Sequence, residues 1–215
     1  MTWRNDIKNR INQIRETEII ISDEFPNNDN FSKNNYRKFW ITCLFVDISG
    51  YTKMCEEKNH KEIGTIIRTF QEGVLDIMIK YELKHIQIQG DGIFGVLPTL
   101  FENDENAIKI FDCAMDINGY LMNYWKEKNY RISIAEKEEL MIIVGINNNE
   151  NNVKEVIFAG GAVNTAKKQM VNNQKKCILI DSIFETKNPQ IIHGKIPKKS
   201  NKDTTYFESY SKGWE

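Results

Sequence analysis

Two segments, FVDISGYT at Phe45–Thr52 and HIQIQGDGIFGVL at His85–Leu97, decide how this chain is expected to fold. An apolar run, Phe39–Val46, leads into Asp47 and predicts a buried strand. In the second segment, Gly-Asp-Gly separates two short apolar runs, which is typical of a β-hairpin with Asp91 in its turn. Between the two segments, apolar residues at helical spacing predict an amphipathic helix, with a face formed by Ile63, Ile66, Ile67, Phe70, Val74, Ile77 and Met78.

This strand–helix–strand order is expected to bring two carboxylates to one edge of a sheet. A crossover of this kind makes its two strands parallel, and neighbouring parallel strands end at the same edge of a sheet. Asp47 and Asp91 both lie at C-terminal strand ends, so they are expected to meet at that edge. Two neighbouring carboxylates repel unless a cation lies between them, and hard oxygen ligands favour Mg²⁺ or Mn²⁺. The alternative is that Asp47 caps the following helix and Asp91 fills a turn.

Length and composition limit the classes of protein to consider. The chain has 215 residues, of which 40% are hydrophobic and 27% charged, which predicts a globular protein with one domain of ordinary size. The formal net charge is −1, so neither a nucleic-acid partner nor a membrane-surface partner is expected.

The cysteines and the N-terminus favour a cytoplasmic setting. Cys43, Cys55, Cys113 and Cys177 show no CxxC or metal-ligand spacing, which fits a reducing compartment. The start, MTWRNDIKNR, is charged and lacks an apolar core, so no signal peptide is expected. No stretch has the length and apolar content of a transmembrane helix.

The remaining pattern predicts an N-terminal helix and linker at residues 1–35, followed by one domain at 36–215. The helix, Thr2–Glu16, has an apolar face that is expected to pack on the domain or on a second subunit: Trp3, Ile7, Ile11 and Ile14. A polar linker, Ser22–Asn35, follows it.

After the hairpin, helical and strand patterns alternate. They predict a helix at Asn106–Tyr124, a polar connection at Trp125–Lys137, strands at Glu139–Ile146 and Val153–Phe158, a helix from Ala159 to Met170, a strand at Cys177–Asp181, and edge pieces at Ile191–Ile192 and Thr204–Ser209. The order βαββαβ with additions predicts an α+β fold of the ferredoxin-like type.

The stretch AGGAVNTAKKQM, Ala159–Met170, provides a third candidate for a site. Its Gly-Gly pair allows a close turn before a helix on which Asn164 and Lys168, four residues apart, point the same way. An amide beside an ammonium group suits a sugar oxygen and a phosphate. The alternative is a glycine-started helix with a solvated basic face.

Together, these three stretches resemble the class III nucleotide cyclase catalytic domain. FVDISGYT resembles the family's F-x-D-I-x-G-F-T, IQIQGDGIFGV its K-x-x-G-D-x-x-x-x, and AGGAVNTAKK its G-x-x-V-N-x-A-x-R. The resemblance implies a homodimer with active sites at the subunit interface. One subunit would hold two Mg²⁺ or Mn²⁺ ions through Asp47, the Ile48 carbonyl and Asp91, and the other would supply Asn164 and Lys168.

The resemblance also implies a reaction, in which a ribose 3′-hydroxyl attacks its own α-phosphate and pyrophosphate leaves. One metal would lower the pKa of the hydroxyl, and the second would hold the leaving phosphates. The turn that contains Tyr51 and Thr52 begins a helix whose free N–H groups would meet the triphosphate. Lys198 or Lys199 faintly resembles a late phosphate-binding lysine of the family, and a solvated loop is the alternative.

Four residues depart from the family pattern, at positions where the family binds the nucleotide base or has a cationic side chain on the helix. Purine cyclases have a Lys three residues before the Gly of Gly-Asp, and this chain has Gln87 at that position. They also have an Asp or Thr seven residues before the helix Asn, and this chain has Ile157 there. Tyr51 replaces the Phe of F-T, and Lys168 replaces an Arg. A metal pair with an altered base pocket resembles the pyrimidine cyclases of bacterial anti-phage Pycsar systems, whose cyclic UMP or cyclic CMP activates a separate effector protein.

The resemblance therefore implies a pyrimidine cyclase that converts UTP to cyclic UMP, because uridylate activity is the commoner in that family. CTP is the alternative substrate. Two other classes of protein stay open. One is a non-catalytic relative that binds nucleotide, because Lys168 differs from Arg in geometry. The other is an unrelated ferredoxin-like domain that binds RNA or a metabolite, against which the balanced charge and the absence of an aromatic RNA-reading motif argue.

Overall fold

The structure, a computed structural model, describes residues 3–16, 20–22, 35–99, 104–127, 129–147, 152–169, 177–181, 184, 187–188, 197–201 and 204–208. The helices are α1 (Trp3–Glu16), α2 (Tyr51–Glu57), α3 (His60–Lys80), α4 (Asp104–Asn123) and α5 (Ala162–Gln169). The strands are β1 (Ile20–Ser22), β2 (Asn35–Ile48), β3 (His85–Gln89), β4 (Gly92–Thr99), β5 (Tyr130–Asn147), β6 (Asn152–Gly160), β7 (Cys177–Asp181), β8 (Pro197–Asn201) and β9 (Thr204–Glu208).

The chain divides into two compact units, residues 1–39 with 140–159 and residues 40–139 with 160–215. The predicted division at residue 35 stays a prediction. In the first unit, β1 pairs in parallel with the start of β2, and β5 pairs with β6. The predicted apolar face of α1 is largely exposed at Ile7, Ile11 and Ile14. Its packing against the domain or a second subunit therefore also stays a prediction.

The second unit contains the strand order β3-β4-β2-β5-β7-β9-β8. Strand β4 is antiparallel to both β2 and β3, so β2 and β3 run in the same direction. The predicted parallel direction is confirmed, but the two strands are not neighbours. The hairpin turn folds β4 back into the space between them. The βαββαβ order lies within this arrangement, and the predicted α+β fold is confirmed.

The core of the second unit lies where α3 and α4 pack on the sheet. Helix α3 begins at a capping box, in which Asn59 and Glu62 each accept a backbone N–H from the other. Its predicted apolar face is confirmed, with Phe70, Val74, Ile77 and Met78 buried. Burial of this face is the main stabilising contribution, because helix propensity alone is weak.

The predicted polar connection at Trp125–Lys137 is wrong from Tyr130 onward, where β5 begins. Tyr130, Ile132 and Ile134 alternate along the strand and are fully buried. The charged residues between and after these three buried residues suggested a loop. Glu136 is nevertheless buried, because it accepts hydrogen bonds from the Trp40 indole and the Asn188 amide.

Smaller differences concern the ends of elements. Helix α5 begins at Ala162, because Ala159 and Gly160 still belong to β6. The predicted piece at residues 204–209 is strand β9, but its edge position is wrong, because β9 pairs with both β7 and β8. The piece at 191–192 and most of the linker lie outside the described residues. Within the described ranges, none of the helices combines the length and apolar content needed to cross a membrane.

Candidate active site

Asp47 and Asp91 come together at one end of the β2–β4 pair. Asp47 is the second-last residue of β2 and lies opposite Gly92, the first residue of β4. Asp91 directly precedes Gly92 in the hairpin turn, and its side chain is within hydrogen-bonding reach of the Asp47 carboxyl group. The structure thus joins the two carboxyl groups that the sequence predicted to meet, while their role as metal ligands stays a prediction.

The environment of Asp47 disfavours its charged form. Burial of the side chain and the negative charge of Asp91 raise the pKa of Asp47 to about 6. Arg131 and the backbone N–H of Ile48 act in the opposite direction but do not cancel the rise. A bound cation would relieve this arrangement, because it attracts both carboxylates at once.

The turn that carries Asp91 is held from the neighbouring helix. The side-chain amide of Gln71, on α3, donates to the carbonyl oxygen of Gly90 over 3.1 Å. Gly90 has a φ of +64°, in the left-handed region that favours glycine. Gln71 therefore fixes the backbone position immediately before Asp91, and no sequence pattern pointed to it.

Arg131 is a further charged residue beside Asp47 that the sequence prediction missed. Its Nη2 lies 3.7 Å from Oδ2 of Asp47, and both side chains are about one-fifth exposed. Within the described part of the chain, Nε of Arg131 is buried without a hydrogen-bond partner. The two residues on either side of Arg131, Tyr130 and Ile132, are fully buried.

The donor set fits a small hard cation. Two carboxylates and the nearby carbonyl of Ile48 supply the oxygen ligands that Mg²⁺ and Mn²⁺ prefer. Among the described residues, no third His, Cys, Asp or Glu joins them in a metal-binding cluster. The remaining coordination positions would therefore fall to substrate phosphates and water, as is usual for Mg²⁺.

Tyr51 and Thr52 begin α2, shortly after Asp47. The Tyr51 hydroxyl hydrogen-bonds the Cys55 side chain one turn further on, which raises the pKa of Tyr51. The charge of Asp91 contributes to the same rise, so the tyrosine lies within electrostatic range of the carboxyl pair. The Thr52 side chain is exposed, and its substrate contact stays a prediction.

Helix α5 presents the predicted amide and cation on its exposed side. The Asn164 side-chain amide donates to the carbonyl oxygen of Gly160 over 3.0 Å, and Lys168 is exposed one turn further on. At the start of this helix, the buried carboxylate of Glu139 accepts the backbone N–H groups of Ala162 and Val163. Glu139 is a second residue that the sequence prediction missed.

A close approach explains the glycine before α5. A Cβ atom added to Gly160 would lie 2.5 Å from Cγ of Glu139, which is closer than real contacts allow. Glycine at this position therefore lets the carboxylate reach the first N–H groups of the helix. Because those groups have no partner within the helix, a buried acceptor there stabilises its start.

The predicted base-reading residues occupy different parts of the molecule. Gln87 lies on β3 in the second unit, where its Oε1 accepts from Nε2 of Gln89 over 3.3 Å. Ile157 lies on β6 in the first unit and is exposed, so its role stays a prediction. The lysines at 198 and 199 lie in β8, and their phosphate contact also stays a prediction.

Residues 34–180 match the family model of the adenylate and guanylate cyclase catalytic domain. The match spans more than half of the chain and contains both halves of the candidate site. The chain belongs to this family, the class III nucleotide cyclases.

Known proteins resemble this cyclase domain to different extents. A uridylate cyclase from Treponema porcinum is 26% identical over 160 residues, which cover 73% of this chain and 54% of that protein. The cyclase domain thus spans about half the length of that relative.

Two solved structures show the same fold at low sequence identity. The non-canonical dimeric guanylyl cyclase domain of the RhoGC fusion protein from the fungus Blastocladiella emersonii has a TM-score of 0.62 at 18% identity, covering 80% of this chain and 95% of that one. A class III adenylyl cyclase-like ATP-binding protein from Pseudomonas aeruginosa has a TM-score of 0.67 at 17% identity, covering 86% of this chain and 42% of that one.

Proposed function

We propose that this cyclase domain converts UTP to 3′,5′-cyclic UMP and pyrophosphate. The observation that carries the proposal is the pairing of the Asp47 and Asp91 carboxyl groups at the end of β2. The family supports cyclisation of a nucleoside triphosphate. The uridylate cyclase relative, together with the absence of the purine-reading Lys and Asp, supports a pyrimidine substrate.

Asp47, Asp91 and the Ile48 carbonyl would hold two divalent cations. When bound, Mg²⁺ or Mn²⁺ would lower the pKa of the 3′-hydroxyl and hold the leaving phosphates. The carboxylates of the chain keep these positions at a fixed spacing, because β2 and the hairpin turn are both hydrogen-bonded into the sheet. Such preorganised charge contributes most of the rate enhancement in phosphoryl transfer.

Asn164 and Lys168 would act on the substrate from the other subunit of a homodimer. Asn164 would orient the ribose, and Lys168 would offset negative charge on the α-phosphate. The 3′-oxygen forms a bond to the α-phosphorus, and the bond from that phosphorus to the bridging oxygen breaks. Pyrophosphate leaves with the electron pair, and the hydroxyl proton passes to solvent.

The base would be read by Gln87, with Tyr51 filling the space that a purine's second ring would occupy. A site that lacks the hydrogen-bonding groups for a purine edge discriminates strongly against purines. The altered base pocket resembles that of the pyrimidine cyclases of Pycsar systems. By this resemblance, the cyclic nucleotide would act in the cytoplasm as a second messenger of anti-phage defence, and a separate effector protein would sense it. CTP, giving cyclic CMP, is the second candidate substrate.

A non-catalytic nucleotide-binding role is favoured by one residue, Lys168. The family has an arginine there, and lysine lacks the planar fork that contacts two phosphate oxygens at once. The carboxyl pair argues against this role, because a domain that only binds nucleotide would not need two adjacent acids in a partly buried place.

Incubation of the purified protein with each of the four nucleoside triphosphates and Mn²⁺, followed by mass spectrometry of the products, tests the proposal. We expect cyclic UMP to dominate. The Asp47→Asn variant should make none, whereas Asp76→Asn, which changes an exposed acid on α3, should behave like the wild type. Preferred cyclisation of ATP or GTP would overturn the pyrimidine assignment, and no cyclic product from any substrate would favour the binding role.

A further inference from the structure

Two side chains of β5 lie against the glycine pair at the start of α5. A Cβ atom added to Gly160 would meet Glu139, whereas one added to Gly161 would lie 2.6 Å from Cδ and 3.0 Å from Nζ of Lys137. Lys137 and Glu139 are two residues apart on the strand, so both project from the same face. The missing side chain of Gly161 therefore gives Lys137 room to place its ammonium group beside the start of α5.

The ammonium group of Lys137 does not hydrogen-bond to Glu139. Burial raises the pKa of Glu139, and the charge of Lys137 only opposes this rise from a distance. Oε1 of Glu139 accepts the first backbone N–H groups of α5, and within the described part of the chain its Oε2 is buried without a hydrogen-bond partner. The half-buried lysine thus lies over Gly161 instead, and an acceptor brought to this place would meet a group that can only donate.

The proposed function gives the nucleotide a direction along α5. Asn164 would orient the ribose, and Lys168, one turn further along the helix, would face the α-phosphate. The base, attached to the other side of the ribose, would then lie towards the start of the helix, where the ammonium group of Lys137 is found. The Asn164 side chain points to that end, because its amide donates to the carbonyl oxygen of Gly160 over 3.0 Å.

We propose that Lys137 donates to the carbonyl oxygen at position 4 of uracil and so selects UTP over CTP. The inference rests on the proposed function, in which UTP is the substrate. Uracil has a carbonyl oxygen at position 4, whereas cytosine has an amino group there. The Gln87 amide contains both a donor and an acceptor, so its chemistry alone does not separate the two bases. An ammonium group that faces the cytosine amino group loses its hydrogen bond, which disfavours binding.

Changing the lysine itself is the first test. Lys137→Met keeps an unbranched side chain of similar length and removes its donors. In an equimolar mixture of UTP and CTP, the ratio of cyclic UMP to cyclic CMP should fall by roughly tenfold or more, the size expected for one lost hydrogen bond to a charged group. Lys61→Met, at an exposed lysine on α3, should leave the ratio unchanged. Because both substrates carry the same triphosphate, the ratio is insensitive to a general loss of activity.

The second test moves the lysine without removing it. In Gly161→Ala the new methyl group takes the space of Cδ of Lys137, so the flexible side chain must shift away. We expect the product ratio to fall as in Lys137→Met, and Gly161→Ala to cause no further fall when the two changes are combined. Gly64→Ala is the matched control, since a Cβ atom added there would meet nothing within 4 Å.

A substrate analogue tests the atom that Lys137 contacts. In 4-thio-UTP the oxygen at position 4 is replaced by sulfur, a weaker acceptor. Calorimetry with Ca²⁺ in place of Mn²⁺ measures binding of both nucleotides without turnover. The wild type should bind UTP more tightly than 4-thio-UTP, whereas Lys137→Met should bind the two with similar dissociation constants.

The outcomes separate this inference from the proposed function. A wild type that makes cyclic UMP, while Lys137→Met or Gly161→Ala keeps the wild-type product ratio, would overturn the role of Lys137 and leave the proposed function standing. A wild type that prefers CTP to UTP would overturn the selection of uracil. A wild type that neither binds nor cyclises UTP or CTP would overturn both proposals.

Discussion

The Nη2 atom of Arg131 lies 3.7 Å from Oδ2 of Asp47, so a cation of the chain itself already faces the carboxyl pair. This charge lowers the pKa of Asp47, but burial and Asp91 outweigh it and the pKa stays raised, at about 6. The fold therefore brings two acids together and neutralises them only in part. This arrangement costs stability without a bound cation, and a cation bound between the two carboxylates would stabilise the fold.

Replacing Asp47 by asparagine should stabilise the metal-free protein and abolish turnover. The substitution removes a partly buried charge, so we expect the free energy of unfolding at pH 7 to rise by about 1–2 kcal/mol, after allowance for solvent screening. It also removes a proposed metal ligand, so Mn²⁺ should no longer raise the melting temperature. Urea unfolding, thermal unfolding with and without Mn²⁺, and a cyclase assay measure these effects. A folded variant with near wild-type activity would refute the metal assignment.

The stability difference between Asp47→Asn and the wild type should depend on pH in a defined direction. The pKa of Asp47 in the folded protein, about 6, exceeds its ordinary value of 3.8, so the folded state binds the proton more tightly than the unfolded state. The wild type therefore loses stability as pH rises from about 4 through 6. The advantage of the variant should be absent below pH 4 and complete at pH 7. An advantage that does not change with pH would contradict this origin.

Removing the positive charge of Arg131 beside Asp47 should increase the rise in melting temperature that metal causes. In Arg131→Met the two acids lose their internal counter-charge, so the metal-free protein should melt at a lower temperature and Mn²⁺ should raise that temperature more than in the wild type. Arg68→Met is the control, since Arg68 pairs with Glu72 on the exposed side of α3 and such pairs contribute little. An equal metal-induced rise in Arg131→Met and the wild type would mean that Arg131 does not offset the acids.

Mixing two inactive variants should restore activity if each site is built from two subunits. A two-fold symmetric dimer would contain one intact site in every heterodimer of Asp91→Asn with Asn164→Ala. We expect partial recovery of cyclase activity after mixing, at up to half the wild-type activity per heterodimer. No recovery despite demonstrated subunit exchange would indicate that each site is built within one chain.

Sequence patterns predicted the meeting of Asp47 and Asp91 because local elements determine it. A buried strand, an amphipathic helix and a Gly-Asp-Gly hairpin leave few topologies, and each places the two acids at the same end of the sheet. The insertion of β4 between β2 and β3 was not anticipated, because the period of a strand does not specify its neighbours. The meeting of the two acids did not depend on that detail.

Contacts between elements that are distant along the chain could not be predicted from the sequence. Arg131 contacts Asp47 directly, whereas Glu139 and Gln71 contact backbone groups next to Asn164 and Asp91. Nothing in their local pattern marks them, since an isolated charged or amide residue is usually solvated. Charged residues also led to the prediction of a polar connection in place of the first half of β5. Glu136 is buried there because it accepts hydrogen bonds from residues that are far away in the sequence.

Glu139 should control the position of α5, and through it Asn164 and Lys168. In Glu139→Ala the first N–H groups of the helix lose their buried acceptor, which should cost about 1–2 kcal/mol in the free energy of unfolding. We expect kcat to fall with little change in KM, because a displaced helix weakens contacts that matter most in the transition state. Glu139→Gln keeps a carbonyl acceptor and should restore most of the kcat.

The neighbouring residue supplies the control for Glu139. Glu138 is exposed on the same strand, so Glu138→Ala should change neither kcat nor stability by much. If Glu139→Ala and Glu139→Gln lost the same stability but kept wild-type kcat, the carboxylate would stabilise the fold without positioning the helix. Urea unfolding and steady-state kinetics on all three variants separate these outcomes.

Tyr51 should matter for pyrimidine turnover through its ring more than through its hydroxyl. The hydroxyl is already hydrogen-bonded to Cys55, whereas the ring is the bulk that would fill the space left by a purine's second ring. Tyr51→Ala should therefore lower kcat/KM for UTP by roughly tenfold or more, while Tyr51→Phe should lose much less. Tyr124→Ala, at an exposed tyrosine, should stay close to the wild type. Equal losses in Tyr51→Ala and Tyr124→Ala would remove Tyr51 from the base pocket, even if the carboxyl pair still binds metal.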